Sequence, residues 1–424
     1  MRVIIAGAGL GGLTLALSLH AAGITDVEVF EQAEELRPVG VGINLLPHAM
    51  RELTELGLGE RVARLGIETE ALVYANRFGQ EIWREPRGRF AGYRWPQISI
   101  HRGKLQMLLL EACRERLGPE RIHLGRRAER VDTGPSGASL WLGAGTGATG
   151  GRADGDVVVA ADGIHSAIRA QFHPDEGPPV WNGRVLWRGV TEGRPFLGGA
   201  TMVMAGHQDQ KFVCYPIDPD VASRGWSLIN WIAELRIEGE TSWRREDWNR
   251  PGRLADFLPK FRDWHFGWLD VPAVIEARER VFEYPLVDRD PLERWTFGRT
   301  TLLGDAAHPM YPIGSNGASQ AVLDARTLAF ELATAATIDA ALEAYEAARR
   351  PATTKLVLLN RQNGPEQVMQ LAHERAPAGF SDVAEVLSRE ELEATAGAYK
   401  AAAGFDRDAL NGRPSLTPPA KASA

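Results

Sequence analysis

Three stretches carry residues that could do chemistry, and each combines glycines with an acid. The first is Gly304-Asp305-Ala306-Ala307-His308-Pro309, continuing through Pro312, Gly314, Asn316, Gly317 and Ala318 into an alanine-rich run. Asp305 follows an apolar strand and is placed to accept hydrogen bonds from sugar-like hydroxyls. The glycines let backbone N–H groups approach a ligand closely. A helix start near Asn316 to Ala318 offers partial positive charge, which suits an anion or the N1–O2 edge of a reduced isoalloxazine. A well-capped core helix behind a structural turn is the other reading of the same residues.

The second stretch is Gly7-Ala8-Gly9-Leu10-Gly11-Gly12, with Glu31 and Gln32 about 20 residues on. Gly7 is expected to make the tight turn and Gly9 to admit a pyrophosphate. Gly12 is expected to let helix and strand pack, and Glu31 to hold ribose hydroxyls. The third is Asp162-Gly163-Ile164-His165-Ser166-Ala167-Ile168-Arg169, a second Asp-Gly turn. Ser166 and Arg169 either pin that turn or engage a pyrophosphate and an incoming reductant; both readings stay open.

The elements that must position these residues follow from local patterning. Arg2 to Ala6 reads as a buried strand, then a helix with Leu13, Leu17 and Ala21 on one face and Gly23 as its left-handed stop. A second strand ends at Glu31. Val157 to Val159 delivers the Asp162 turn, and Thr301 to Leu303 delivers the Asp305 turn. Residues 48–66 read as helical, and Ile98 to Leu110 as a strand turning into a helix with Arg102 at its entrance. Gly143 to Gly155 reads as a hairpin tip without chemistry, and a helix is expected from about 338 to 361. Between them, residues 183–235 change to short strands, the pattern of an antiparallel sheet. In one of these, Lys211, Val213 and Tyr215 share a face because side chains repeat every second residue. Lysine and tyrosine there could meet an anionic aromatic ligand, or lie in solvent and core. Residues 240–280 are Trp-rich, with helical pieces, and the chain after Asn411 reads as disordered.

Composition narrows the class. The chain has 424 residues, 44% hydrophobic and 24% charged, with a net charge of −7. That length implies more than one domain, and the acidic balance argues against a general nucleic-acid binder. No apolar run reaches the ~18 residues of a membrane span, and no secretion signal is read at the N-terminus, so a cytoplasmic protein is expected. Cys113 and Cys214 form no C-x-x-C pair, which disfavours a redox disulfide and a metal site. Twelve tryptophans lean towards a multi-ring ligand, although most belong to a core.

Taken together in this order, the three stretches resemble the single-component (group A) FAD-dependent aromatic hydroxylases, which include salicylate and hydroxybenzoate hydroxylases. Further stretches are similar to the phenazine-modifying members: Val39 to Asn44, Ser99 to Gly103, Trp187 to Glu192, Tyr284 to Pro291 and Asn316 to Ala321. The resemblance covers residues 1 to about 360. It implies an α/β chain with a Rossmann-like FAD-binding domain, an inserted antiparallel-sheet substrate domain and C-terminal helices. The expected segments are 1–180 and 291–360 for FAD, 181–290 for the substrate sheet, and 361–424 for C-terminal helices and tail. It implies bound FAD, NADH or NADPH as transient reductant, and O2 activated as a flavin C4a-hydroperoxide. It further implies a phenazine carboxylate or related heteroaromatic as substrate, with CO2 lost where a carboxylate sits on the attacked carbon. Salicylate or hydroxybenzoate hydroxylation, N-oxidation, an FAD oxidase and a non-catalytic flavin sensor remain alternatives.

On that reading Gly7, Gly9, Leu10, Gly11, Gly12, Glu31, Gln32, Arg102, Asp162 and Asp305 bind FAD. Gly42, Pro312, Gly314, Asn316, Gly317 and Ala318 border its ring. Tyr215 contacts the substrate and Lys211 its carboxylate. His308 belongs to its turn and His48 borders a helix. The expected assembly is a monomer or homodimer, without nucleic acid, membrane or metal.

Overall fold

The computed structural model describes residues 1–143, 150–237 and 250–418. Its centre is a six-stranded sheet in the order Thr296–Phe297, Thr300–Leu302, Val157–Ala160, Arg2–Ala6, Asp26–Phe30, Ile122–His123. All pairings but the first are parallel. Val3, Ile4, Ile5 and Val157 to Val159 are wholly buried, as continuous apolar runs covered on both faces must be. Helices Leu10–Ala21 and Gly317–Thr334 pack together against this sheet.

A second sheet of seven strands runs Val281–Asp288, Val180–Gly193, Ser227–Arg236, Gln210–Pro216, Thr201–His207, Ala71–Ala75, Glu81–Pro86. It departs from expectation twice. Two of its strands come from residues 71–86, inside the stretch expected to serve FAD alone. One pairing, Thr201–His207 with Ala71–Ala75, is parallel. Thr69 N–H donates to Gln97 O at 2.9 Å and Glu70 N–H to Ala200 O at 2.9 Å, so the chain is tethered on both sides where it enters this sheet.

Other expectations shift locally. The helical stretch at 48–66 is two helices, Pro47–Glu55 and Gly59–Ala63, broken where Gly57 takes φ +74°. Gly143 to Gly155 pairs at its base, and its residues 144–149 lie outside the described residues. So do residues 238–249 of the Trp-rich stretch.

The tail after Asn411 is ordered through residue 418. Arg51 donates to the carbonyls of Leu410 (3.0 Å), Arg413 (2.7 Å) and Pro414 (2.9 Å), and Arg413 pairs with Glu52. A proline-broken chain cannot satisfy its own carbonyls, and one guanidinium supplies the missing donors. Among the described residues no helix is long and apolar enough to cross a membrane.

Candidate active site

Parallel register brings the three acid-and-glycine stretches together. Ala6 pairs with Ala160, and Ala160 with Leu302, so three strands end at one level. The Gly7 loop, the Asp162 turn and the Asp305 turn therefore leave the same sheet edge side by side, where ligands bind in open α/β sheets. Gly7 takes φ +108°, and a Cβ on it would lie 2.3 Å from Ala161 O. A Cβ on Gly12 would lie 2.0 Å from Gly7 O. Both glycines are close-packing positions. Gly9 differs, since a Cβ there meets nothing within 4 Å and opens into a cavity of about 340 Å³. Leu10 and Gly11 line the same cavity.

Glu31 stands at the end of Asp26–Phe30 and accepts from Ala8 N–H and Ala33 N–H, each at 2.9 Å. Gln32 is exposed beside it. Asp305 occupies the one-turn helix Gly304–Ala306, with its side chain open to the cavity. Protein surrounds that carboxylate, and the desolvation pushes its pKa up against the pull of His308 and Arg102. Arg102, at the start of helix Arg102–Leu117, reaches into the same space. Arg188 joins them, donating to Gly42 O at 2.9 Å, and its Nε is buried without a partner. Helix Gly317–Thr334 begins at this cavity with no side-chain cap, and a Cβ on Gly317 would meet open space. Gly317, Ala318 and Pro312 line the wall.

The opposite wall is one face of the seven-stranded sheet. Period-two alternation and antiparallel register sort it into rungs. Asn230 and Tyr215 form the rung nearest the glycine loops; Arg188, Ile232, Val213 and Met204 form the next; Leu186, Glu234 and Lys211 form the last. The first rung fixes Gly42. Its N–H donates to Asn230 Oδ1 at 2.7 Å, and its carbonyl accepts from Tyr215 Oη at 2.9 Å. A Cβ on Gly42 would lie 2.8 Å from both Asn230 and Ile217.

Tyr215 lines the cavity, where a substrate contact is expected. Its hydroxyl is committed to Gly42, and burial pushes its pKa up to about 12, so it stays a neutral donor. Tyr215→Phe is expected to leave flavin bound and to raise the peroxide-to-product ratio several-fold, the scale of about 1 kcal/mol for one lost hydrogen bond. An unchanged ratio would show that the Gly42 tether positions nothing.

Lys211 departs from expectation. It does face the cavity, but its ammonium already lies 2.6 Å from Glu366 and 3.0 Å from Glu234. It is no free partner for a substrate carboxylate. Gly314 turns the other way, since a Cβ on it would strike Tyr399 Oη at 2.2 Å. Asn316 is wholly buried, and its side-chain amide donates to Tyr399 Oη at 3.1 Å. Neither borders the cavity; both shape the turn that presents Pro312 and Gly317.

Asp162 accepts from Ala167 N–H at 3.0 Å through one oxygen and leaves the other buried and unpartnered. Its neighbours Ala161 and Gly163 line the cavity. Ser166 caps the helix Ala167–Phe172, and Arg169 donates to Ala306 O (3.0 Å) and Ala307 O (2.9 Å). These two residues pin the turns, which decides between their readings. His308 is held by Asp324 within its turn. His48 is buried against Phe405, and burial, then Arg413 and Arg349, lower its pKa to about 3.

Among the described residues the cavity wall holds no tryptophan. Trp187, Trp231 and Trp264 lie in the core on the sheet's other face, with Phe257 and Phe261. The lean towards a multi-ring ligand therefore finds no tryptophan support among the described residues. Residues missed by the sequence reading are Arg188, Asn230, Glu234 and Glu366. The first three could have been found by carrying the alternation of Lys211, Val213 and Tyr215 to the neighbouring strands. Glu366 follows helix Ile338–Arg361 and gave no local signal.

A family profile described as an FAD binding domain matches residues 1–214 and 283–359. The chain is 47% identical over 361 residues to the phenazine 1,6-dicarboxylic acid hydroxylase PhzS of Lysobacter antibioticus, covering 85% of this chain and 89% of that one. It is 34% identical to the aurachin C monooxygenase/isomerase of Stigmatella aurantiaca, covering 82% and 85%. In fold it is similar to Klebsiella pneumoniae HpxO complexed with FAD and uric acid, with a TM-score of 0.73, 24% identity, and 97% and 96% of the two chains covered.

Proposed function

The chain belongs to the FAD-binding-domain family of flavin-dependent aromatic hydroxylases, with FAD as its cofactor, and from that premise we propose that it hydroxylates a carboxylated phenazine or a related multi-ring heteroaromatic. The observation that carries the substrate class is the depth of the sheet wall. Tyr215 and Lys211 lie four residues apart on one strand, roughly 13 Å at ~3.3 Å per residue. Between them the face is Val213, Ile232 and Met204, with Arg188 at one edge of that rung and Leu186 beside Lys211 in the next, a largely apolar slot longer than one aromatic ring. The Lysobacter relative, named for a three-ring substrate, supports the same reading.

The residues present fit FAD. Open space at Gly9 and Gly317, an uncapped helix start and the buried, unpartnered Arg188 Nε form a cradle for a phosphate-linked, hydroxyl-bearing group with an acidic ring edge. Gly9 lets the backbone approach the pyrophosphate, Gly11 lets the loop pack against Leu303 and Ala321, and Arg102 neutralises the pyrophosphate. Asp305 accepts from the hydroxyls of the linking chain. The N–H groups at Gly317 and Ala318 place positive potential at the ring edge that gains negative charge. The chemistry that FAD supplies when bound is two-electron reduction by NAD(P)H and activation of O2. Around the reacting ring, Val213, Ile232 and Met204 exclude water. Arg188, Asn230 and Tyr215 hold Gly42 so that the near wall keeps its shape. The reaction is placed in the cytoplasm, where NAD(P)H is available, with the chain acting as monomer or homodimer.

The test is NADH and NADPH oxidation by the purified yellow protein, with peroxide followed alongside, using phenazine-1-carboxylate, phenazine-1,6-dicarboxylate and salicylate. A phenazine that accelerates flavin reduction and yields hydroxylated product with little peroxide is the expected result. Efficient coupling with salicylate alone would overturn the substrate class. No stimulation by any ring would move the protein to an oxidase or sensor role.

A further inference from the structure

The far rung of the sheet wall holds a cluster of charge that the dinucleotide end does not use. Lys211 Nζ lies 2.6 Å from Glu366 Oε2 and 3.0 Å from Glu234 Oε2, and Arg184 Nε is 3.8 Å from the other Glu234 oxygen. Lys211, Glu234 and Glu366 are 5%, 3% and 6% exposed, and all three line the cavity. An ammonium has three N–H donors, and here two are taken. Each carboxylate can accept more bonds than it receives from Lys211. One donor and surplus acceptors therefore stand side by side at the end of an apolar slot. A buried ion cluster of this kind contributes little net stability, so its consequence lies in what it admits.

We propose that Lys211, Glu234 and Glu366 read the remote end of the substrate. They take a neutral substituent that presents an acceptor and a donor together, such as an amide, a lactam or a protonated carboxyl, and turn away a remote carboxylate. The acceptor of the substituent meets the free Lys211 N–H, and its donor meets Glu366. A remote carboxylate instead faces two carboxylates around one ammonium, in a site where like-charge contact is strongly unfavourable. This rests on the multi-ring reading above, because a single ring held near Gly42 does not reach the far rung.

Two ligands that differ only at that end test the inference: phenazine-1,6-dicarboxylate and 6-carbamoylphenazine-1-carboxylate. The two carboxylates of the first are equivalent by symmetry, so one must face the cluster whenever the other faces the flavin. Dissociation constants are read from ligand-induced changes in the absorbance of the oxidised holoenzyme, without turnover. The carbamoyl compound is expected to bind at least about tenfold more tightly. Glu366→Gln, which keeps shape and removes a charge, is expected to bring that ratio within about threefold. If that variant does not fold with flavin, Glu234→Gln makes the same measurement, and the wild-type ratio stands without either. A wild-type ratio near one, or a dicarboxylate that binds more tightly, would overturn the inference while leaving the multi-ring reading intact. So would a ratio unchanged by the substitution. Binding of salicylate but of neither phenazine would overturn the multi-ring reading and this inference with it.

Discussion

Asp305→Ala is expected to yield protein that purifies largely without flavin. The carboxylate stands at the end of strand Thr300–Leu302, open to the cavity and enclosed by protein. Burial raises its pKa, and His308 and Arg102 oppose that rise. An acceptor exposed to the cavity is hydrated when FAD is absent and takes a hydroxyl as donor when FAD is bound. Hydrogen bonds to a charged group contribute roughly 1.5–3 kcal/mol each, so the loss of one weakens FAD binding about 10- to 150-fold. The fold should not suffer, because the Asp324 charge already works against an ionised Asp305. Titrating the apoprotein with FAD measures the effect, with the thermal midpoint of the same apoprotein as control. A variant that holds stoichiometric flavin at unchanged affinity would remove Asp305 from the site. Asp305→Asn, which still accepts a hydrogen bond, should fall between the two.

The sequence announces this part of the molecule because its signals are local. A strand, a glycine turn and a helix are written within about 20 consecutive residues, and each turn needs a backbone that few residues permit. Gly7 at φ +108° and Gly304 at φ +62° show that requirement. The substrate wall is less legible because its partners are distant in sequence. Lys211 shows its face by alternation, yet its closest partner, Glu366, is 155 residues away on a short turn. Sequence therefore suggests a free ammonium where the structure has a neutralised one. Ala71–Ala75 carries no sign that it will pair in parallel with Thr201–His207, since that edge closes only after a long excursion of the chain. The tryptophans mislead for a related reason. Alternation puts Trp187 and Trp231 on a sheet face, but which face meets the cavity depends on what covers the other. Asn316 and Gly314 mislead at finer scale: they lie in the right loop, and their side of it faces Tyr399.

What holds the Asp305 turn in register with the helix behind it is Asp324, and its removal should cost more than any other single change in this region. Asp324 is wholly buried. One oxygen accepts from Gly304 N–H at 3.1 Å and pairs with His308 Nε2 at 2.5 Å; the other accepts from Arg349 Nε at 2.7 Å. One carboxylate thus joins the turn, helix Gly317–Thr334 and helix Ile338–Arg361. Burial alone would raise its pKa, but His308 and Arg349 outweigh burial and bring it down to about 2. The folded value lies below the ordinary 3.8, so this stabilisation is complete above about pH 4–5 and is lost as the pH falls towards 2. Asp324→Asn leaves the Arg349 charge buried without its partner and is expected to destabilise the fold by about 3–5 kcal/mol at neutral pH. Urea denaturation of both proteins at pH 7 and pH 3 measures this. The gap between them should be wide at pH 7 and narrower at pH 3, because acid removes from the wild type what the substitution has already removed from the variant. Flavin should be lost from the variant as a consequence of the loosened turn, and excess FAD should recover part of the gap by binding only the folded chain. Equal midpoints at pH 7 would mean that the turn is held by its backbone alone, and that Asp305 owes its position to the sheet edge and not to Asp324.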